Sequence, residues 1–278
     1  MTALGTVSQL PMVRRTEAGV YLDAGALGEV LLPRRYVPAD AGPGKLVEAF
    51  VYRDSEDRLV ATTERPSACV GGFACMTVRD VVPDVGAFLD WGLSKDLLLP
   101  YREQGSPVRI GQRVVVAVCL DGRTDRIIAS TRIDRHFGTD MPALKEGQEV
   151  AALVWARTDL GWKVIVDGAW RGLLFGDAST AALRVGQTVR AWVRQVREDR
   201  KVDLALDPAG YQRVAPLAEQ VMAALAASGG RLEIDDDSPP AAIRARFGAS
   251  KKAFKQALGA LFRERKIAFT KPGIRATK

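Results

Sequence analysis

Along most of this chain apolar and polar residues alternate with a period of two, in short runs bounded by Gly, Pro and Asp. That is the pattern of half-buried strands. One set of runs falls at Phe73–Val82, Ala87–Trp91, Asp96–Leu99, Arg113–Leu120 and Arg126–Thr131. The period changes towards the C-terminal end. From Pro208 to Ala227 the residues Leu217, Val221 and Leu225 recur at helical spacing until Gly229-Gly230 stops the run. A brief strand at Leu232–Ile234 is followed by a short helix, opened by Ser238-Pro239-Pro240 with Ser238 as N-cap and a proline at the first position, and closed by Gly248. Ser250 caps a further helix. In it Phe254, Leu258, Leu261 and Phe262 form the core-facing stripe, leaving Lys251, Lys252, Lys255, Gln256 and Arg263 on other faces. Two last runs, Lys266–Thr270 and Gly273–Ala276, are joined by Lys271-Pro272-Gly273 as a hairpin.

The strand pattern repeats. Gly19-Val20-Tyr21-Leu22-Asp23 recurs 67 residues later as Gly86-Ala87-Phe88-Leu89-Asp90. Leu31-Leu32-Pro33 becomes Leu98-Leu99-Pro100, and Gly44 becomes Gly111, at the same offset. A further shift of 75 carries Gly86, Leu98-Leu99 and Gly111 onto Gly161, Leu173-Leu174 and Gly186. Three landmarks holding one register in three copies mark one structural unit used three times. Each copy reads as five strands with a longer link after the third, at Pro33–Gly44, Pro100–Gly111 and Phe175–Gly186, the last with helical character over Asp177–Leu183. That is the order of a Greek-key OB barrel, with an SH3-like barrel or a split sandwich as the alternative. The expected fold is therefore mostly β: three tandem five-stranded OB barrels at 1–66, 67–146 and 147–208, then an α/β winged helix-turn-helix at 209–278.

Charge sharpens this division. The formal charge is +7, yet residues 244–278 hold eleven Lys and Arg against Glu264 alone, so everything before them sums to −3. Such asymmetry points to an anionic partner for the C-terminal end, most simply nucleic acid; a solvated basic face is the simpler reading of the same residues. The single His136 excludes mechanisms that need two imidazoles. Cys69, Cys75 and Cys119 are odd in number and lack C-x-x-C spacing, so neither a disulfide framework nor a zinc knuckle is expected and the chain reads as cytoplasmic. No window suggests a signal peptide or a membrane span.

Gly86-Ala87-Phe88-Leu89-Asp90-Trp91-Gly92-Leu93-Ser94-Lys95-Asp96-Leu97-Leu98-Leu99-Pro100 resembles the signature segment of the YitL/CvfB family, conserved virulence factor B, as does Ser250-Lys251-Lys252-Ala253-Phe254-Lys255-Gln256-Ala257-Leu258-Gly259. The resemblance spans the chain and implies three S1-type RNA-binding domains with a winged helix, acting in post-transcriptional and virulence-factor control in a bacterial cytoplasm. In S1-type domains aromatics of the second and third strands stack on bases while cations follow the backbone. The residues expected to do so here are Tyr21, Phe88, Trp91, Trp162 and Trp170, with Lys95, Lys163 and Arg171 on phosphates. Pro33, Pro100 and Phe175 stand where such domains often carry His. Lys251, Lys252, Lys255, Arg263, Lys266 and Lys271 are expected to supply phosphate contacts from the winged helix.

Catalysis is not expected. The chain lacks a P-loop, Gly25-Ala26-Leu27-Gly28 is a turn fragment, and Asp235-Asp236-Asp237 reads as solvated turn residues before it reads as a metal site. No cofactor or metal is called for. The leading expectation is a non-catalytic binder of single-stranded RNA. The alternative is a DNA-binding transcriptional regulator, or a protein-docking adaptor, acting through the winged helix.

Overall fold

The computed structural model describes residues 4–176, 180, 182–207, 209–270 and 272–277, and of residues 209–216 and 263 the backbone alone. Strands β1 (Val7–Thr16), β2 (Gly19–Asp23), β3 (Glu29–Pro33), β4 (Leu46–Arg53) and β5 (Leu59–Thr62) close into a barrel in the order β1-β2-β3-β5-β4. Strands β6 (Phe73–Val82), β7 (Gly86–Asp90), β8 (Leu97–Pro100), β9 (Arg113–Leu120) and β10 (Ile127–Ser130) repeat the plan. Here β8 and β10 lie side by side without joining in a ladder, and the barrel stays open at that seam. The third copy, β11 (Glu149–Thr158), β12 (Gly161–Val166), β13 (Trp170–Phe175), β14 (Thr188–Val196) and β15 (Val202–Ala205), is closed again. The strand order is that of the OB barrel, as expected. Residues 177–179 and 181, in the expected helical stretch, lie outside the described residues.

The repeated landmarks are the joints of this plan. Gly19, Gly86 and Gly161 open the second strand of each copy and pair across it with Pro33, Pro100 and Phe175. Their φ values of 150°, 143° and 141° lie where side chains are rarely tolerated. A Cβ there would meet the carbonyl oxygen of Leu32, Leu99 or Leu174 at 2.4 Å or less, so only glycine allows this close approach. The third landmark closes the first strand onto the fourth. The N–H groups of Gly44, Gly111 and Gly186 donate to the carbonyls of Met12, Val78 and Val154 at 2.8 to 2.9 Å.

Alternation along each strand fills the barrels. In the first, Leu10, Met12, Leu22, Val30 and Leu32 are buried together. The second core runs on into the first barrel, because Phe50, Tyr52 and Val60 pack with Met76, Leu89 and Trp91 in one cluster. Phe50 meets Trp91 edge to face with centroids 5.6 Å apart.

The C-terminal part comprises α1 (Ala209–Ala227), β16 (Arg231–Leu232), α2 (Pro240–Phe247), α3 (Lys251–Arg263), β17 (Ile267–Phe269) and β18 (Ile274–Ala276), with the sheet ordered β16-β18-β17. This is a winged helix. Leu217, Val221 and Leu225 of α1 pack with Ile243, Phe254 and Leu258 in its core. The Ser250 hydroxyl caps α3 by accepting from the Ala253 N–H at 3.2 Å, as its sequence predicts. Two expectations are corrected. The N-cap of α2 is Pro239, with no side-chain bond, because the Ser238 hydroxyl is taken up by Asp235 in the preceding turn. Phe262 is 52% exposed rather than core, since about 100° per residue carries it some 80° round α3 from Phe254, to the edge of the buried stripe.

By compactness the chain divides into residues 1–144, 150–190 and 195–204, and residues 145–149, 191–194 and 205–278. No described helix is long and apolar enough to cross a membrane.

Candidate nucleic-acid interface

The OB barrel binds oligonucleotides on the face of its second and third strands, between its loops. Alternation decides which side chains reach that face. In the first two copies Tyr21 pairs with Leu31 and Phe88 with Leu98, all four partly exposed and flanked by buried neighbours. The same register in the third copy pairs Lys163 with Leu173. Three barrels thus present one position in three ways.

In the first barrel the face is open. The Arg14 guanidinium lies over the Tyr21 ring at 3.8 Å, and its Nε donates to Glu29 at 3.0 Å. A base stacking there would meet either the phenol ring or the guanidinium plane, both of which serve as stacking surfaces.

In the second barrel the face is a groove of about 410 Å³ lying over the open seam. Its lips are Leu97 and Leu98 of β8 and Ile127 and Ile128 of β10, and Phe88 forms one wall. Arg102 and Arg126 come from the ends of this barrel's loops, Tyr52 and Arg53 reach in from the first barrel, and Trp91 and Lys95 also line it. Arg102 is held by Asp121 at 2.8 Å and Arg126 by Asp57 at 3.2 Å. An apolar slot with guanidinium groups at its rim has the chemistry of a nucleotide site, base inside and phosphate outside. Arg53, Arg102 and Arg126 were missed in the sequence. The only signal was the placement of Arg126 before the fifth strand, where the loop of an OB barrel borders the binding face.

In the third barrel the face is covered by the chain itself. Asp134, in the link that follows β10, accepts from Lys163 Nζ at 3.2 Å and faces Arg171 Nε at 3.3 Å. Phe137 lies under the Arg171 guanidinium at 5.1 Å and against Phe73 at 5.2 Å. Lys163 also sits 4.9 Å from the Trp155 ring. Lys163 and Arg171 therefore answer an internal carboxylate in this structure, and the phosphate contacts expected of them would have to displace Asp134.

Three further candidates are taken up in packing and main-chain hydrogen bonds, although Trp91 and Lys95 also border the groove of the second barrel. Trp91 is 2% exposed, a core residue whose ring is spent on Phe50 and whose indole N–H donates to the Lys95 carbonyl. Lys95 Nζ donates to the carbonyls of Arg53 and Asp54, both at 2.9 Å, and so pins the first barrel's β4–β5 hairpin to the second barrel. Burial of that ammonium lowers its pKa. Trp162 is buried, and its indole N–H donates to the Thr180 carbonyl at 3.1 Å. Small barrels need large rings inside, and Trp91 and Trp162 meet that need. Trp170 stays partly exposed at the start of β13.

On the winged helix, Lys251 Nζ donates to the Asp237 carbonyl at 3.1 Å, Lys255 pairs with Asp236 at 3.2 Å, and Lys266 with Glu264 at 2.7 Å. Lys252 is exposed and has no ion pair among the described residues. Lys271 and the side chain of Arg263 lie outside the described residues.

The remaining chemistry is structural. Asp235 accepts from the Gly273 N–H at 3.1 Å and from the backbone N–H and hydroxyl of Ser238. Burial pulls its pKa up, and these bonds outweigh that and hold it below the usual carboxylate value. Burial raises the Cys75 thiol, and pushes Cys119 up to about 11. Neither is an activated thiolate at neutral pH. No group of three or more His, Cys, Asp or Glu among the described residues could hold a metal ion.

Comparison with known proteins agrees with this architecture. Residues 4–64 match the S1 domain family, and residues 219–275 match the CvfB-like winged helix domain. The chain is 31% identical to protein YitL of Bacillus subtilis (strain 168) over 265 residues, covering 93% of this chain and 88% of that one. It is 22% identical to conserved virulence factor B of Staphylococcus saprophyticus over 83% of this chain and 81% of the relative. A crystal structure of a multidomain protein with nucleic acid binding domains from Streptococcus pneumoniae TIGR4 aligns over 99% of this chain and 98% of that one, at 24% identity and a TM-score of 0.41. With its S1 barrel, its winged helix and a relative of this identity along nearly its whole length, the chain belongs to the YitL/CvfB family, and its domains are of nucleic-acid-binding types.

Proposed function

We propose that this protein binds single-stranded RNA without catalysing a reaction on it, as a post-transcriptional regulator in a bacterial cytoplasm. The observation that carries the reading is the register-equivalent pair Tyr21 and Phe88, aromatic side chains turned outward on the second strand of two barrels, with guanidinium groups beside each. Two stacking surfaces of this kind take bases of any sequence, because every base offers a π-face, and the arginines beside them suit phosphates. Unpaired bases are required: in a duplex the π-faces are already stacked on one another.

Competition binding among single-stranded RNA, single-stranded DNA and duplex DNA of equal length tests it. The expected order is single-stranded RNA first and duplex last, with no cleavage of the RNA during incubation. A preference for the duplex would overturn the reading in favour of a DNA-binding regulator acting through the winged helix. Failure to bind any of the three would favour the adaptor.

A further inference from the structure

The groove over the second barrel's seam has two unlike ends. Gly86 pairs with Pro100 at one end of the β7–β8 ladder and Leu89 with Leu97 at the other, so the turn that carries Trp91, Lys95 and Asp96 lies beyond the second end. Away from that turn the lining is apolar, with Val85, Phe88, Leu98 and Pro100. At the turn it is cationic. Lys95 Nζ donates to the carbonyls of Arg53 and Asp54, both at 2.9 Å, and Arg53 Nη1 donates to the Asp57 carbonyl at 2.8 Å. Arg126 Nε pairs with the Asp57 carboxylate at 3.2 Å. These contacts gather Arg53, Lys95 and Arg126 around the β4–β5 hairpin of the first barrel, and all three line the groove.

Two of these cations keep N–H groups that the protein does not use. An ammonium has three donors, and Lys95 gives two of them to carbonyls, with no carboxylate paired to it among the described residues. Arg53 Nε is buried and has no hydrogen-bond partner among the described residues. Buried donors are seldom left unmet, because the lost hydration is not returned. The acids in the lining do not answer the cluster. Asp96 pairs with Arg79 at 3.1 Å and Asp121 with Arg102 at 2.8 Å. Burial lowers the Lys95 pKa and the Arg126 charge lowers it further, against the opposing pull of Asp54 and Asp57, so the ammonium sits where negative charge is short.

An apolar slot with a ring in its wall takes a flat base, and its charged end selects what that base carries. A phosphodiester within a strand has one negative charge and needs room for the chain on both sides. At the β7–β8 turn the hairpin of the first barrel stands across that path, held there by Lys95. A phosphate monoester needs no exit, and it carries close to two negative charges at neutral pH. The Arg126–Asp57 pair is half exposed, so a phosphate displaces it at little cost. We infer that the turn end of this groove, formed by Arg53, Lys95 and Arg126, binds the terminal phosphate of a nucleotide whose base stacks on Phe88. The inference rests on the reading of Phe88 as a stacking surface and adds to it a contact made only by a chain end or a free nucleotide.

The test uses the full chain and one single-stranded RNA sequence, labelled internally, with a phosphate monoester on its first or its last nucleotide or with hydroxyls at both ends. Adenosine monophosphate and adenosine are titrated in parallel by calorimetry. One phosphorylated end is expected to bind roughly tenfold or more tightly than the hydroxyl-ended strand, the usual effect of hydrogen bonds to a charged group. Adenosine monophosphate should exceed adenosine in the same way. Comparing the free nucleotide with the strands tells which source the pocket prefers. Arg53→Gln should bring the ratio between phosphorylated and hydroxyl-ended strands close to one. It leaves the Arg53 carbonyl that Lys95 holds, so the melting temperature should stay near that of the wild type. Phe88→Leu should weaken all strands alike and keep the ratio, which separates the stacking surface from the phosphate site. Equal affinity for all strand ends, with adenosine monophosphate no better than adenosine, would overturn the site and leave the single-strand reading intact. An unchanged ratio in Arg53→Gln would overturn it too. If adenosine monophosphate outbound adenosine while no strand bound, the pocket would stand and the single-strand reading would fall.

Discussion

The second and third barrels share a strand plan, a landmark register and a family of side-chain positions, yet they use the same face in opposite ways. In the second, Phe88 looks into a groove over an unpaired seam. In the third, Lys163 stands at the Phe88 position, and the link bearing Asp134 and Phe137 folds over it and Arg171. One substitution of chemistry, ring for ammonium, goes with a change from an open face to an internal joint. A repeat in sequence therefore does not imply a repeat in function. The register decides where a side chain points, and the neighbouring segments decide what is left for it to touch.

The comparison can be broken most forcefully at Trp91, which directly follows β7 in the same barrel as Phe88 and yet faces the core. Trp91→Ala should destabilise the protein by about 3–5 kcal/mol in denaturant unfolding, the usual effect of truncating a large core aromatic. Near-native stability with weakened RNA binding would instead put Trp91 at the interface. Next is Phe88→Leu, expected to weaken single-stranded RNA binding by about 1–3 kcal/mol with an unchanged salt slope, since stacking releases few counterions. An unchanged affinity would remove the groove from the binding path.

Asp134→Ala sharpens the contrast. Its ion pairs are partly exposed, so stability should fall by no more than about 1 kcal/mol. The two cations are then released, and RNA binding should gain salt dependence of about 0.7 in the log–log slope for each one that takes a phosphate. An unchanged slope would mean the third face stays closed by Phe137 alone. The smallest effect belongs to Lys163→Ala, which should leave RNA affinity as it is, measured under the same salt series. A clear drop would show that the third barrel binds as the second does.

Much of this was legible in the sequence because it is enforced locally. Period-two alternation fixes which residues face inward, and the bounds of β6 and β9 agree with the runs seen along the chain. Gly19, Gly86 and Gly161 are tied to main-chain approaches that no other residue permits, and Gly44, Gly111 and Gly186 to a positive φ, which is why they keep one register through three copies. Helix-capping Ser250 and the core stripe of α3 follow from the same short-range rules, up to Phe262, where a margin of one position on the helical wheel moved a ring from core to surface. The asymmetric charge of the C-terminal end needs no structure at all.

What only the tertiary structure decided is the environment of each candidate. Aromatic and cationic side chains are chemically fit both for RNA and for packing, and alternation cannot separate these uses when the partner comes from a distant part of the chain. Trp91 is buried because Phe50 of another barrel reaches it, Lys95 is committed because two carbonyls of the first barrel's β4–β5 hairpin point at it, and Lys163 and Arg171 are occupied because Asp134 comes back over them. Whether the adjacent strands β8 and β10 join in a ladder is likewise set by tertiary packing. The sequence determined the strands, their facing residues, the joints of each barrel and the basic winged helix, all set by near neighbours and backbone sterics. Which of those faces stays free for a ligand depended on the packing of remote segments against one another, and such packing leaves no periodicity to read.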